Sequence, residues 1–454
     1  MRRDPFSTWP RGTRQDEEAL LEAFLEGCRD GLEESGKECR EGTFGNVGED
    51  SGEIPRCQEE IRNDVRESIP VEPGKKYAWG KNGRRCREFA ARYAGMCGTA
   101  HCIPVANGTV SIELILRGLG IGYGDEVILP AYTFIATMSA VVFAGAVPVF
   151  ADIEPGTYNL CADSVEQHIT SRTRAVLAVA VGGRPCDFEK LEAVTKKHGI
   201  YLVVDAAQAA GARFLDRSVG KYGVAASFSC QNSKNLTCGE GGIITTDSDS
   251  LRDAICTMLG IEGQGHTAIS DKTLFPRLDH GLTEMQAALL MSQLDKLPGE
   301  IYLRGENVAY LEGRLKGNPL LLPMEQDPRI QVHAEHVHLM RVNTRILREY
   351  GLNREDLLQA LHAEGIPLQP GYQPLYAFPC TTSPEVAHAI GREIDCTPLP
   401  VCERAGYEEG VWFYHGIFLG RRRDMDQIAD GVDKVWENLE ALGAAKRGTG
   451  KETI

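Results

Sequence analysis

Positive charge is in short supply in this 454-residue chain: 49 lysines and arginines face 64 aspartates and glutamates, a formal net charge of −15. That balance argues against a protein that coats nucleic acid or sits on an anionic membrane surface. Long hydrophobic runs are also missing. No apolar stretch reaches the ~20 residues that a transmembrane helix needs, and the opening MRRDPFSTWPRGTRQDEEAL lacks the apolar core of a secretory signal. Nor are the cysteines paired. Fourteen of them are scattered from Cys28 to Cys402 without one C-x-x-C. This excludes an obvious disulfide frame or zinc site, predicts no metal, and points to reduced thiols in a cytoplasmic protein. Cys97/Cys102 and Cys230/Cys238 read as buried or half-buried small hydrophobes.

What is plentiful is apolar material, 42% of the chain. At roughly 100–200 residues per domain the length allows two to four domains with a sizeable core. The first 72 residues hold 19 acidic and 10 basic side chains. Among them Leu20, Leu21, Phe24, Leu25 and Leu32 mark an amphipathic helix over 16–35. Residues 28–75 read as an acidic, poorly ordered insertion, polar and rich in Gly and Glu. From about Lys76 the texture turns globular. Apolar segments Glu126–Leu129, Val147–Ala151, Ala175–Val181 and Tyr201–Asp205 alternate with helix-like Val110–Leu119, Phe134–Phe143 and Phe188–His198. The expectation is an α/β large domain over 76–320, its mostly parallel sheet covered on both faces. Its last helical stretch, Thr283–Leu315, is expected to break at Pro298. A smaller α+β C-terminal domain over 321–445 should end in a helix, Met425–Leu442, before a tail at 446–454.

Ligands of open α/β sheets bind at the carboxyl ends of strands, and four polar clusters fall at such ends. Asn107-Gly108-Thr109 leads into a helix whose N-terminus suits a phosphate, or serves as an ordinary cap. Phe134, in Pro130-Ala131-Tyr132-Thr133-Phe134, can stack on a planar ligand or fill a core. Asp205, in Asp205-Ala206-Ala207-Gln208, is costly to bury without a cationic partner, or caps the next segment. The fourth cluster runs from Ser227 through Ser229 and Lys234 to Gly239-Glu240-Gly241-Gly242. A lysine between two strands, before a turn of glycines, can shed its proton and form a Schiff base with an aldehyde. Gly239-Glu240-Gly241-Gly242 is not a P-loop, and Gly118–Gly124 does not fit the dinucleotide fingerprint.

Taken together, N-G-T, P-A-Y-T-F-I-A-T, D-A-A-Q and S-x-x-x-x-K-N-L-T-x-G-E-G-G resemble the DegT/DnrJ/EryC1/StrS aminotransferases. The likeness covers about 77–440, and Phe6-x-x-Trp9-Pro10 with the following helix resembles that family's N-terminal arm, here 1–27. Residues of about 28–75 depart from it. The resemblance implies the aspartate-aminotransferase fold, fold type I, and pyridoxal 5′-phosphate as cofactor. It makes Lys234 the lysine that carries the cofactor and moves the proton. Asp205 pairs with the pyridine nitrogen, Phe134 stacks on the ring and Gln208 lies by its phenolic oxygen. Gly108, Thr109, Val110 and Ser229 hold the phosphate. An amino acid, glutamine or glutamate, then donates its amine, and a keto-cyclitol or keto sugar receives it, in natural-product or sugar biosynthesis. A homodimer with active sites at the interface is also implied.

Some relatives carry His instead of this lysine and dehydrate their substrates; Lys234 favours amine transfer. Where the family commonly has Asn-Tyr-Arg, with Asn reaching a neighbouring subunit's phosphate, this chain has Asp279-His280-Gly281. That aspartate would repel a phosphate unless a cation compensates. Cys402-Glu403-Arg404 and Val411–Gly420 are similar to the aminocyclitol and 3-amino-5-hydroxybenzoate branch, with His415 matching the second His of its V-W-L-H-H text and Tyr414 replacing the first. His415 can equally be a satisfied histidine at a domain interface. A 3-amino-5-hydroxybenzoate-synthase-like elimination and a non-catalytic pyridoxal-phosphate-binding regulator are the alternatives.

Overall fold

The computed structural model describes residues 13–33, 81–261 and 278–449. Phe6, Trp9, Pro10 and Trp79, residues 34–75 of the expected insertion, and 450–454 of the expected tail lie outside the described residues. In chain order the first strands are β1 (His101–Val105), β2 (Glu126–Pro130), β3 (Val147–Ala151), β4 (Thr173–Val179) and β5 (Tyr201–Asp205). The short β6 (Arg213–Phe214) and β7 (Arg217–Ser218) precede β8 (Ala225–Ser229) and β9 (Gly242–Thr246). Seven of these make one sheet in the order β1-β9-β8-β5-β4-β2-β3. Strands β8, β5, β4, β2 and β3 run parallel, and β9 lies antiparallel between β8 and β1.

The near-continuous apolar strands explain this. Alternate residues face opposite sides. Val127, Leu129, Leu177 and Val203 join one core cluster, with the Gly108–Gly118, Ile135–Phe143 and Asp249–Leu259 helices. Ile128, Val176, Val204 and Phe228 join another, with the Arg84–Cys97 and Phe188–His198 helices. Each fully buried aliphatic side chain contributes about 1.5–3 kcal/mol. The helix Arg14–Glu33 docks through Asp16, which accepts from Ser292 Oγ (2.9 Å) and Gln293 Nε2 (2.8 Å) and pairs with Lys296.

A second, four-stranded antiparallel sheet is ordered β10 (Leu321–Pro323), β12 (Val337–Val342), β14 (Gly410–Tyr414), β13 (Gln369–Pro370), while β11 (Ile330–Val332) pairs with β6. The Arg354–Ala363 and Arg422–Glu437 helices pack with it in a third core. This is the expected α/β large body with a smaller α+β one.

Three expectations need correction. The stretch Ala175–Val181 is strand only to Val179, because Ala180–Gly183 turns, with Gly182 at φ 70°. The helix Glu284–Leu315 continues through Pro298 without a break. Its first half seats Leu290, Leu294 and Leu297 in one core and its second half Val308, Leu311 and Leu315 in another, so packing on both sides outweighs the missing hydrogen bond. The last helix, in contrast, stops at Glu437 and a further helix begins at Leu439, because Asn438 leaves helical geometry at φ −108°, ψ 14°. The eleven described cysteines are all free; Cys97, Cys230 and Cys238 are buried and Cys102 half-buried. Among the described residues no helix is long and apolar enough to cross a membrane, and no cluster of His, Cys, Asp and Glu is arranged to hold a metal.

Candidate active site

The carboxyl ends of β2, β5 and β8 bring the sequence-predicted residues to one edge of the large sheet. Asp205 closes β5 and is 4% exposed. Its Oδ2 accepts from Thr137 Oγ1 at 2.8 Å and its Oδ1 from the Ala207 N–H at 3.1 Å. Burial raises its pKa; those two hydrogen bonds and the charge of Lys234 pull the other way. Lys234 is half-buried in the loop between β8 and β9. Burial lowers its pKa, opposed by Asp205. Each group feels the other, and both are pushed toward neutrality. A carboxyl and an amine in that condition are poised for a ligand that supplies the missing charge.

Gly108 starts a helix of 11 residues. Its approach to β8 is close enough that a Cβ there would meet Ser229 Cβ at 2.8 Å, so only glycine fits. Ser229 ends β8, and its Oγ accepts from Gln231 N at 3.4 Å. The first N–H groups of a helix have no intrahelical partner. Val110 differs from the expectation: its N–H donates to the Asn107 side chain at 2.9 Å, leaving Gly108 and Thr109 as the donors for an anion. Phe134 is 55% exposed at the N-cap of the next helix, so its ring is an open apolar face and not core. Gln208 is tied at both ends of its amide. Its Oε1 accepts from Gly182 N at 2.7 Å, and its Nε2 donates to the Tyr372 hydroxyl at 3.0 Å. Burial, with Asp205 adding, pushes Tyr372 up to about 12 against the Gln208 hydrogen bond.

Asp279 carries its own compensation. Lys81 Nζ stands 2.8 Å from Asp279 Oδ1 and donates to its backbone oxygen at 3.2 Å. His415 is buried beside the lysine loop, with Nε2 3.0 Å from Ser233 O.

Thr137, Tyr372, Asn235 and His336 escaped the sequence. Thr137 lies one helical turn beyond Phe134 and Asn235 is next to Lys234, so both carried a faint positional signal. Tyr372 and His336 arrive from distant segments and carried none.

The DegT/DnrJ/EryC1/StrS aminotransferase family model matches residues 57–394. The L-glutamine:2-deoxy-scyllo-inosose aminotransferase of Streptomyces kanamyceticus is 36% identical over 374 residues, 79% of this chain and 87% of that protein. The GDP-perosamine synthase of Caulobacter vibrioides is 32% identical, over 78% of this chain and 90% of its own. Among solved structures, S. venezuelae DesV in complex with a ketimine intermediate is 31% identical at a TM-score of 0.68, covering 84% of this chain and 96% of that one. The 3-amino-5-hydroxybenzoic acid synthase structure, 23% identical at a TM-score of 0.75 over 96% and 99% of the two chains, shares the fold. By the extent of these matches, the chain belongs to the DegT/DnrJ/EryC1/StrS aminotransferase family.

Proposed function

We propose that this aminotransferase uses pyridoxal 5′-phosphate to carry the amino group of glutamine or glutamate to a keto-cyclitol or keto sugar. One arrangement carries the reading: Asp205, buried at the end of β5 and held by Thr137 and Ala207, shares the carboxyl end of the sheet with Lys234 of the β8–β9 loop. The donor set fits the cofactor. The Gly108 and Thr109 N–H groups and the Ser229 hydroxyl suit a phosphate. Asp205 suits a protonated ring nitrogen, whose charge would draw the carboxyl back to its ionised form. Lys234 suits an aldehyde, and Phe134 offers a flat face.

When bound, the cofactor supplies an aldehyde that exchanges amines and a ring that takes up negative charge from the substrate's Cα. The protein does the rest. Lys234, whose charged form burial disfavours, removes the proton from the donor's Cα and later gives one to the acceptor carbon that receives nitrogen. Asp205, fixed by Thr137 and Ala207, holds a positive charge on the ring nitrogen. Gln208 has its oxygen engaged by Gly182 and one N–H by Tyr372, which leaves its second N–H to donate to a ligand oxygen. The scyllo-inosose aminotransferase at 36% identity supports glutamine as donor and a cyclitol ketone as acceptor. The sequence resemblance supports a homodimer, and the acidic charge and free cysteines support a cytoplasmic one.

Protein loaded with pyridoxal phosphate should show a visible absorbance band that glutamine bleaches and an inosose restores. Lys234→Ala should lose that band. A band that neither amino acid alters overturns the transfer reading, and a band unchanged in Lys234→Ala overturns the lysine's role.

A further inference from the structure

Four hydrogen bonds grip the two residues flanking Lys234, and all four come from the C-terminal part of the chain. Ser233 O accepts from the Tyr414 hydroxyl, with His415 Nε2 at 3.0 Å. A carbonyl oxygen only accepts, so His415 carries its hydrogen on Nε2. On the other side, Asn235 Nδ2 donates to Ala334 O at 2.6 Å, which leaves Asn235 Oδ1 to accept from His336 Nδ1 at 3.1 Å. The imidazoles of His336 and His415 stack with centroids 5.4 Å apart and planes 30° apart. His415 N also donates to His336 O at 3.2 Å.

The segment that supplies Ala334 and His336 is itself tied down. Ala334 N donates to Gly183 O at 3.0 Å and His336 N to Gly182 O at 2.9 Å. Between them Glu335 adopts φ 50°, with its carboxylate 3.2 Å from Nδ1 of both His333 and His338. A non-glycine residue keeps such a conformation only where its surroundings hold it.

We propose that Tyr414, His415 and His336 are positioning residues for Lys234: they hold the Ser233 carbonyl on one side of the lysine and the Asn235 side chain on the other, and couple its place to the C-terminal sheet. The inference rests on the role given to Lys234 above. A lysine side chain has four rotatable bonds, so where its amine can reach depends on where its backbone is held. Displacing a reacting group by about 1 Å can cost on the order of 10²-fold in rate. The clamp is insensitive to pH near neutrality. Burial, and then the charge of Arg304, hold His415 down at about 3, against the Ser233 carbonyl; Lys234 adds to the lowering. Burial, Lys234, His415 and Arg304 hold His336 well below its ordinary value. Both rings therefore stay neutral, and their N–H bonds persist.

Three variants test this. Tyr414→Phe removes one hydroxyl, His415→Phe removes one imidazole N–H, and His415→Gln keeps an N–H donor. The first readout needs no cofactor: the pH at which Lys234 of the cofactor-free protein is half-labelled by an amine reagent, followed by mass spectrometry. Tyr414→Phe and His415→Phe should each move that midpoint by about half a pH unit or more. In the loaded enzyme they should lower kcat on the order of tenfold with KM little changed, and His415→Gln should recover most of the loss. An unmoved midpoint, or equal defects in His415→Gln and His415→Phe, overturns the proposal. Should His415→Phe fail to fold, Tyr414→Phe decides alone. Because the midpoint is read without cofactor, a protein that never transfers an amine leaves this result standing and sinks only the functional reading.

Discussion

Thr137 Oγ1 donates to Asp205 Oδ2 at 2.8 Å, joining the helix after β2 to the end of β5. The carboxylate is buried, so the bond both holds it in place and favours its charged form. Thr137→Val keeps the shape and removes the donor. A hydrogen bond to a charged group contributes about 1.5–3 kcal/mol, so kcat/KM should fall at least about tenfold. Asp205 should also ionise at higher pH, moving the acid limb of the pH–rate profile upward. A profile and rate equal to the parent's would contradict the role given to this hydroxyl.

Asp205→Asn should separate stability from activity. A carboxyl whose folded pKa lies above its unfolded value, 3.8 here, binds more protons in the folded chain. Stability is then lost as pH rises from that value through the folded pKa. At pH 7 the cofactor-free variant should melt higher than the parent, by about 2 °C or more. The gap should shrink as pH falls toward 4. Amine transfer should drop about 10²-fold or further, since asparagine cannot hold a positive charge on the ring nitrogen. Thermal melts across pH, with turnover beside them, check both halves.

Chemistry confined to one stretch of chain was legible in the sequence. Asp205 and Lys234 stand out because a strand-end carboxylate and a lysine before a glycine turn are poor choices for mere packing. The parallel sheet was legible because β2, β4 and β5 are nearly continuous apolar runs, with charged residues only toward their ends, at Glu126, Arg174 and Asp205. What the sequence hid depends on segments meeting in space. Nothing around Tyr372 signals Gln208, and nothing in Ala334–His336 signals Asn235. The competing acceptor for the Val110 N–H, the Asn107 side chain, was also hidden. The cation that pairs with Asp279 was hidden because it lies 198 residues away, at Lys81.

Lys81→Ala tests that compensation. Asp279 is 91% exposed and Lys81 35% exposed, so the pair contributes only about 0.2–1 kcal/mol to stability. Melting should move by about 2 °C or less. Cofactor affinity is the sensitive quantity, because the sequence resemblance sets this loop beside a neighbouring subunit's phosphate. Lys81→Ala should weaken pyridoxal phosphate binding by about threefold to tenfold, and adding Asp279→Asn should restore it. Equal affinities in parent, single and double variants would place the loop away from the phosphate.

Pro298→Ala addresses the helix that the sequence expected to break. A proline inside a helix removes one backbone hydrogen bond, here the one Leu294 O would accept, and its ring crowds that carbonyl, at ~3 kcal/mol. Alanine restores the donor. Against this, losing proline frees the unfolded chain by about 0.4–1 kcal/mol. Pro298 also lines a groove of about 580 Å³ with Leu297 and Ile301, so a little apolar contact is lost. The balance is a gain of roughly 1–2 kcal/mol, visible as a melting temperature raised by a few degrees. A lower melting temperature would mean that the two cores at either end of Glu284–Leu315 are matched to the proline geometry itself, and that straightening one half of the helix unseats the other.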